Sequence, residues 1–397
     1  MKNLQFEGNG FEYFKIWIVN ILLTIITLGL FYPWAKVRNR RYFYGNTTLE
    51  GRNFDYHATG KQLFFGYLIA MGLLIAFVVV QQISPIGSGI LTIILFFGFP
   101  WVIWRSLVFN LRMTSFSNVR FGFEGTLSGA YYSFMLLPIV LAIAVYGSLA
   151  VLVIVVSLLA TTADTGIVAI ITMVGIVAVT AIGIYLYAFM MCVNKNYTIG
   201  GYRYGQGQFT TDFHTREFSM ILLRTIGLSI LVMLALTIGF AILAAITAGI
   251  EGLANLGETM NNPEALAQGM GATLVVLMIL FYLGMILAFF VISAYMATRQ
   301  RSYIFANSTL DSKITFASTL QARTLASVMI TNLLLTIFTL GLATPWAKVR
   351  MARVLLENSQ VNADEGFDQY INEKIEQQSS LGEQIGDAFD INVDIGL

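Results

Sequence analysis

Long uncharged runs alternate with short polar stretches along the chain. The uncharged runs cover residues 16–35, 62–104, 125–163, 165–194, 225–250, 265–298 and 324–347. A helix needs roughly 20 consecutive apolar residues to cross a bilayer, and every run reaches that length. A proline at position 85, with glycines beside it, divides the run 62–104 into two helices. The pattern therefore predicts eight candidate membrane helices, centred near residues 24, 72, 97, 145, 179, 236, 282 and 334.

Four polar stretches between these segments share one design. Each has a Thr/Ser-rich extended run, a turn-like pair and a second run with alternating aromatic residues. In the first stretch Glu50 and Gly51 form the predicted turn, with Phe54 and Tyr56 on one face. Open hairpin edges cannot lie in lipid, so hairpins near 42–60, 112–126, 196–213 and 303–318 are expected at the membrane surface. The predicted fold class is an all-α polytopic membrane protein with six to eight transmembrane helices, internal repeats and short β-hairpins on one face.

Charge assigns that face to the cytoplasm. The four polar stretches carry 16 Lys and Arg residues, whereas the opposite loops 83–87, 161–165 and 251–267 carry none. Basic residues concentrate on the cytoplasmic side of membrane proteins, so the hairpin face is predicted to be cytoplasmic. Composition agrees with a membrane location, since 57% of residues are hydrophobic and only 11% are charged. Because the basic residues flank membrane segments, nucleic-acid binding is not expected.

The chain divides into a basic body and an acidic tail. Residues 1–356 carry a net charge of +10, whereas residues 357–397 carry −9, with Lys374 as their single basic residue. The predicted domains are therefore a membrane domain over 1–356 and a tail over 357–397. The polar composition favours a solvated, partly helical extension for the tail. The alternative is that the tail folds back on the basic body as a plug or regulator.

A near-verbatim repeat occurs at the two ends of the chain. Residues 20–38 read NILLTIITLGLFYPWAKVR and residues 332–350 read NLLLTIFTLGLATPWAKVR, with 15 of 19 positions identical. In each copy a glycine (Gly29, Gly341) breaks the apolar segment and a proline (Pro33, Pro345) restarts a helix. We therefore expect a six-span core whose first and last segments dip into the membrane and return, with both termini cytoplasmic. Eight full spans are the alternative.

Residues 22–64, LLTIITLGLFYPWAKVRNRRYFYGNTTLEGRNFDYHATGKQLF, resemble the signature of the YjgN family of bacterial inner-membrane proteins. That family carries a domain of unknown function, and the resemblance extends over essentially the whole chain. It implies a bacterial inner-membrane location. It brings no catalytic or binding residues with it.

Two sets of residues are candidates for a transport site. Trp34, Lys36 and Arg38 of the first repeat copy, with Trp346, Lys348 and Arg350 of the second, are candidate gate or lipid contacts. The alternative is ordinary anchoring, with tryptophan at headgroup depth and basic side chains reaching the interface. Three further polar residues within apolar segments are candidates for lining a cavity, namely Asn20, Arg224 and Asn332.

The two histidines occur in matching Asp-aromatic-His triplets. Asp55 and His57 lie in the first hairpin, and Asp212 and His214 lie in the third. Imidazole and carboxylate together suit a divalent transition metal, so one hypothesis is that these four residues form a metal site. The alternative is a pair of exposed histidines, each hydrogen-bonded to its aspartate. Otherwise no cofactor is predicted, no catalytic motif is found, and the single cysteine, Cys192, excludes an intrachain disulfide.

The sequence favours a transporter or channel-like permease of unidentified substrate. The alternative is a non-transport scaffold or lipid-interacting protein that binds partners through its hairpins and tail. Membrane lipids and an unidentified small molecule are the expected partners, and assembly into a homo-oligomer is an alternative to a monomer. A permease is expected to enclose a polar cavity, whereas a scaffold is expected to be a packed, dry bundle.

Overall fold

The computed structural model describes residues 1–161, 163–254, 263–363 and 367–377. Helices α1 to α10 are Gly10–Ile26, Tyr32–Gly45, Gly60–Ile83, Pro85–Arg112, Leu127–Leu159, Thr165–Gly200, Thr215–Ala254, Pro263–Ala306, Ala322–Phe338 and Thr344–Glu357. Residues 367–377 form α11. Strands β1 to β11 are Lys2–Asn3, Gln5–Phe6, Thr47–Leu49, Arg52–Tyr56, Thr114–Phe116, Val119–Phe123, Tyr202–Tyr204, Gly207–Thr211, Ser308–Leu310, Ile314–Ser318 and Ser359–Ala363.

Six of these helices, α3 to α8, are long and apolar enough to cross a membrane. The first and last apolar segments form two short helix pairs instead, α1–α2 and α9–α10. At 1.5 Å per residue, the 17-residue α1 is about 26 Å long and the 14-residue α2 is about 21 Å long. Both lengths fall short of a hydrocarbon core of roughly 30 Å. The structure therefore agrees with six spans rather than eight.

The terminal repeat encodes a tight turn within each short pair. Leu28 and Gly29 have positive φ angles of 49° and 91°, and the Gly29 N–H donates to the Thr24 carbonyl over 2.7 Å. The Thr27 hydroxyl then accepts from the Phe31 N–H over 2.9 Å, just before α2 begins. The second copy repeats this arrangement with Leu340, Gly341, Thr336, Thr339 and Ala343. The chain therefore reverses at the same point in both copies.

The strands form one sheet that closes on itself. Strand β1 pairs with β11, and β2 pairs with β3. Since only Leu4 separates β1 from β2, one continuous segment occupies both edges of the sheet. We call this closed ring of strands the crown. The all-α fold class is therefore only partly right, because the surface hairpins unite into a large antiparallel sheet.

The crown consists of five equivalent hairpins. Four are β3–β4, β5–β6, β7–β8 and β9–β10, and the fifth joins β11 to the N-terminal strand. In every unit the residue after the second strand donates its backbone N–H to the carbonyl oxygen of the residue before the next hairpin, with N···O distances of 2.8–3.1 Å. The five bonds are Glu7–Asn46, His57–Met113, Glu124–Gly201, Asp212–Asn307 and Thr319–Asn358. The chain therefore contains five repeat units, and the fifth hairpin is assembled from the two chain ends.

The helix pairs follow the same ring. Helix α2 packs on α3, α4 on α5, α6 on α7, α8 on α9, and α10 on α1. At two of these joints a tryptophan lies against a helix-initial glycine. A Cβ atom would lie 2.1 Å from Trp34 Cδ1 at Gly60, and 2.3 Å from Trp346 Cδ1 at Gly10. The short pairs α1–α2 and α9–α10 are therefore neighbours in the ring.

The spans do not form a packed bundle. In the apolar 18-residue stretch that identifies each span, at most 11% of the residues are buried among the described residues. A helix of a packed bundle buries an apolar stripe along its length. The spans thus form an open wall, in which each helix contacts mainly its neighbours along the chain.

The first part of the acidic tail is folded into the body. Residues 359–363 form strand β11, and α11 buries Phe367, Tyr370 and Ile371 against the crown. The expectation of a solvated extension is therefore wrong for these residues, which fold back on the body; a role as plug or regulator stays a prediction. Residues 364–366 and 378–397 of the tail lie outside the described residues.

Candidate functional site

An apolar cavity of about 300 Å³ lies inside the crown. It is lined by at least one residue from each of the strands β3 to β11, and by Leu4 between β1 and β2. The equivalent first-strand residues are Leu49, Phe116, Tyr204, Leu310 and Val361, and the second-strand positions are occupied by Phe54, Phe121, Phe209 and Phe316, with Leu4 in the fifth unit. Because side chains alternate between the two faces of a strand, the equivalent position in each unit faces the same interior. We call this cavity the crown lumen.

Helix α11 covers the turn end of the crown lumen. Phe367, Tyr370 and Ile371 line the cavity from this helix, beside Val119 and Ile314 at the hairpin turns. The opposite end of the lumen faces the membrane helices, where Phe305 of α8 and residues near the end of α10 line it. The lumen therefore lies between α11 and the ends of the long helices.

Polar contacts hold α11 in place. Lys374 Nζ lies 2.9 Å from Asp311 Oδ2, and the Tyr370 hydroxyl donates to the same oxygen over 2.8 Å. The Asp311 side chain also accepts from the Gln208 N–H over 2.8 Å. Arg52 and Asp368 form a second ion pair at 2.9 Å. These contacts connect α11 directly to two of the five hairpins, β9–β10 through Asp311 and β3–β4 through Arg52. Asp311 is in turn bonded to Gln208 of a third hairpin, β7–β8.

The surroundings of Asp311 stabilise its charged form. Burial alone would raise the pKa of Asp311, but the hydrogen bond from Gln208 and the contacts with Lys374 and Tyr370 outweigh it. The pKa of Asp311 therefore lies below its ordinary value of 3.8. Burial, followed by the hydrogen bond to Asp311, raises the pKa of Tyr370, which stays a neutral donor.

Arg301 brings a charged group to the membrane end of the lumen. Its guanidinium donates to Leu355 O over 3.1 Å and to the hydroxyl of Ser359 over 2.6 Å. It also donates to Ser318 Oγ over 3.2 Å and lies 4.5 Å from the Phe305 ring centre. Arg301 therefore connects α8, α10 and the crown. The sequence gives no sign of this role, because Arg299 and Arg301 together at a helix end are typical of interfacial anchors.

The tryptophans of the terminal repeat belong to helix joints rather than to the lumen. Trp34 and Trp346 pack on Gly60 and Gly10 at equivalent positions of neighbouring units. The basic residues that follow them, Lys36, Arg38, Lys348 and Arg350, are exposed on the short pairs. The two copies therefore lie side by side on the hairpin side of the wall.

Asn20, Arg224 and Asn332 do not form a common cavity. Asn20 is buried between α1 and α2, where its Nδ2 donates to Asn39 Oδ1 over 3.1 Å. Asn332 is buried between α9 and α10, where its Nδ2 donates to Ala347 O over 3.0 Å. Arg224 is exposed on α7. The two asparagines connect the helices of the short pairs, and none of the three lines the crown lumen.

The two Asp-aromatic-His triplets are also apart. His57 Nε2 lies 2.7 Å from Ser115 Oγ, and His214 Nδ1 lies 3.8 Å from Asp212 Oδ1. Asp55 is on β4, whereas Asp212 follows β8, and three strands lie between them. Within the described part of the chain, no three His, Cys, Asp or Glu side chains meet as a metal site. The four-residue metal hypothesis therefore does not fit the fold.

Comparison with known proteins gives the family. The family model for bacterial proteins of unknown function, DUF898, matches residues 1–388. The chain belongs to this family. Its resemblance to YjgN proteins is confirmed by two relatives. The inner membrane protein YjgN of Salmonella typhimurium is 30% identical over 368 residues, which cover 91% of this chain and 88% of the relative. That of Escherichia coli K12 is 27% identical over 365 residues, covering 90% and 88%.

The DUF898 assignment and the six apolar helices together make the chain a polytopic membrane protein. The names of its YjgN relatives give the inner membrane as their location and state no activity. No solved structure matches the chain at a significant level.

Proposed function

We propose that the protein is a channel-like permease for lipid-like, amphipathic molecules, with the crown lumen as the passage and α11 as its closure. The observation that carries the proposal is the lumen itself. Ten apolar or aromatic residues, two from each unit, line a cavity of about 300 Å³. That volume is at the lower end of the roughly 300–1,000 Å³ range of small-molecule pockets.

The lining selects the class of substrate. Transfer of a hydrated ion or a charged solute into apolar surroundings is strongly unfavourable unless polar groups replace the lost water. Arg301 is the charged residue at the lumen, and its guanidinium is already engaged by three oxygen acceptors. An acyl chain needs no such partners. The lumen thus favours the apolar part of a lipid over a polar solute.

The short helix pairs offer such a molecule a way in from the bilayer. Their tips are apolar and uncovered, with Leu28 92% exposed and Leu340 94% exposed. Exposed apolar tips on helices too short to span are typical of elements that end within the hydrocarbon layer. In the ring of helices the short pairs α9–α10 and α1–α2 lie between the spans α8 and α3. A lipid can therefore approach the interior from this side, where short pairs take the place of spanning helices.

The proposal includes an orientation, with the crown and α11 on the cytoplasmic side. It rests on the 16 Lys and Arg residues of the four polar stretches against none in the opposite loops. The proposal assigns no catalytic step to the protein.

Lipid movement across reconstituted vesicles tests the proposal. Full-length protein is incorporated into vesicles that carry a fluorescent phospholipid, and a membrane-impermeant reductant reports how fast the inner-leaflet label becomes accessible. Asp311→Asn removes the partner of Lys374 and weakens the docking of α11, so we expect it to increase the rate several-fold over wild type. Glu357→Gln, which loses the exposed Arg353–Glu357 pair (3.9 Å) outside the lumen, is expected to match wild type.

The same experiment separates the two functional hypotheses. If folded Asp311→Asn protein moves label no faster than protein-free vesicles, transport through the crown is wrong. Lipid that still copurifies with the protein would then favour the lipid-interacting scaffold. Equal acceleration by Glu357→Gln would also contradict the proposal, because it would show a general loss of bilayer integrity.

A further inference from the structure

The two copies of the terminal repeat differ in the surroundings of their arginines. In the second copy Arg350 Nη1 donates to Thr331 Oγ1 over 2.7 Å. Arg353 donates to Gly8 O over 3.1 Å and lies 3.9 Å from Glu357 Oε1. Each arginine of the second copy therefore has an oxygen partner within the protein.

The residues at the equivalent positions, Arg38 and Arg41, line a groove, and the two copies differ at Arg38. Val19 stands in place of Thr331, so Arg38 has no hydroxyl to bind and lies 5.5 Å from the Phe31 ring centre. Lys15 stands in place of Ser327 and adds a further positive charge, 4.7 Å from the Phe11 ring centre. The two copies thus have the same backbone turn, but Lys15 adds a positive charge beside the first copy, where the second has Ser327.

The groove lies between α1 and α2 and has a volume of about 580 Å³. Its lining residues are Lys15, Ile16, Val19, Arg38, Arg41 and Tyr42. The Arg41 side chain, which lines this groove, is held in place by hydrogen bonds to Tyr56 O at 3.3 Å and Ala58 O at 2.9 Å. Among the described residues, no carboxylate forms an ion pair with any of these three cations. Glu12, one turn before Lys15 on α1, is the acidic residue nearby, so the local charge stays positive.

We propose that this groove binds the phosphate-bearing headgroup of an anionic phospholipid. Lys15 and Arg38 contact the phosphate oxygens, and Arg41 supplies a fixed charge at the back of the groove. Guanidinium and ammonium groups form short, charge-assisted hydrogen bonds with phosphate. The three cations lie in the half of the short pair nearest the crown, where α1 begins and α2 ends. That half lies at the level of lipid headgroups if the apolar tip lies in the hydrocarbon layer.

The surface beyond the groove matches acyl chains. On α1 the exposed residues Val19, Leu22 and Ile26 lead from the groove towards the apolar tip at Leu28. A cationic pocket continuous with an exposed apolar strip fits an amphipathic ligand better than a free anion, which would leave the strip unused. This site goes beyond the proposed function and does not depend on it, because headgroup binding is measured without any lipid movement.

The test compares equal charge losses in the two repeat copies. Full-length protein is purified in a neutral detergent and delipidated, and binding of short-chain phosphatidylglycerol is followed by native mass spectrometry. We expect Lys15→Gln with Arg38→Gln to lower the affinity roughly tenfold or more, since two charge-assisted contacts are lost. Lys348→Gln with Arg350→Gln, in the second copy, where Arg350 already bonds Thr331, is expected to stay within about twofold of wild type. All four side chains are exposed, so both variants should fold.

Two further arms identify the ligand. Phosphatidylcholine tests the need for net negative charge, and inorganic phosphate tests whether the apolar strip contributes. We expect weaker binding of phosphatidylcholine and no competition by millimolar phosphate. Equal losses in the two double variants would overturn the site, because general surface charge would then explain binding. Competition by inorganic phosphate at the lipid's own concentration would overturn the lipid as the ligand. Lys15→Glu alone, which reverses one charge, gives a second measure of the same contact.

Discussion

At the scale of single residues, Gly10 and Gly60 connect neighbouring units of the ring. Each is the first residue of a helix and lies directly under a tryptophan of the preceding helix pair. A methyl group at either position would overlap the tryptophan ring, since its carbon would lie only 2.1–2.3 Å from the ring's Cδ1 atom. The joint between the two chain ends, Gly10 with Trp346, is therefore built like the joint Gly60 with Trp34 between consecutive units.

We expect Gly10→Ala and Gly60→Ala to destabilise the protein by similar amounts, roughly 1–3 kcal/mol each, because each forces a packed ring to move. Gly45→Ala, at the end of α2, has open space around the new methyl group and should be neutral or slightly stabilising. Thermal unfolding in detergent measures all three. A Gly10→Ala variant as stable as wild type would show that the ring does not depend on the joint between the chain ends.

Asp311 gives a pH prediction at the same scale. Its pKa lies below the ordinary value of 3.8 in the folded protein, so docking of α11 is at full strength above that value. The docking contribution is lost only as pH falls through the lowered pKa. We therefore expect residues 367–377 to be equally protected from hydrogen exchange at pH 7 and pH 5, with protection falling below about pH 4. Loss of protection between pH 7 and pH 5 would contradict the assigned ion pair.

At the scale of elements, the turn inside each short pair depends on glycine. Gly29 and Gly341 have φ angles of 91° and 90°, in a region that other residues adopt only with strain. We expect Gly29→Ala and Gly341→Ala each to destabilise the protein by about 1–2 kcal/mol. Gly183→Ala, in the spanning helix α6 with open space around it, is the matched control and should have no such effect. Chemical denaturation in mixed micelles compares the three variants.

The sequence predicts some elements well for a physical reason. Each internal hairpin has its two strands adjacent in the chain, and in the first one the predicted turn at Glu50 and Gly51 is confirmed. In the third hairpin Gly200 and Gly201 suggest a turn, but Gly200 ends α6 and the turn lies at residues 205–206. The repeat with Gly29 and Pro33 predicts the chain reversal in the short pairs. In contrast, α11 buries Phe367, Tyr370 and Ile371 from a strongly acidic stretch, where composition alone favours exposure.

At the scale of the whole molecule, the sequence does not predict the crown or its lumen. Four hairpins on one face do not indicate whether they pair with one another. The fifth hairpin is absent from any local pattern, because Asn3 pairs with Gln360 near the other end of the chain. The prediction of a polar cavity lined by Asn20 and Asn332 is wrong, because both asparagines connect helices of the short pairs. The crown lumen is apolar instead.

Removal of the N-terminal strand tests closure of the crown. Deletion of residues 2–6 leaves β3 and β11 with unpaired edges, and exposed edges recruit strands from other molecules. We expect the shortened protein to aggregate in detergent. Lys2→Gln, which loses the exposed ion pair with Glu50 (2.8 Å) and keeps the backbone, should stay monodisperse. Size-exclusion chromatography with light scattering distinguishes the two. A monodisperse deletion variant would show that the crown does not need its N-terminal strand.

The fifth hairpin also sets the order of events during biosynthesis. The N-terminal strand leaves the ribosome first, but its partner β11 is made only after every membrane span has been inserted. The ring therefore stays open throughout translation and closes in one late step, just before α11 is complete. Closure between residues so distant in sequence is slow, because the long intervening chain must be ordered first. Newly made protein thus passes through a stage in which β1 and β10 both have an unpaired edge.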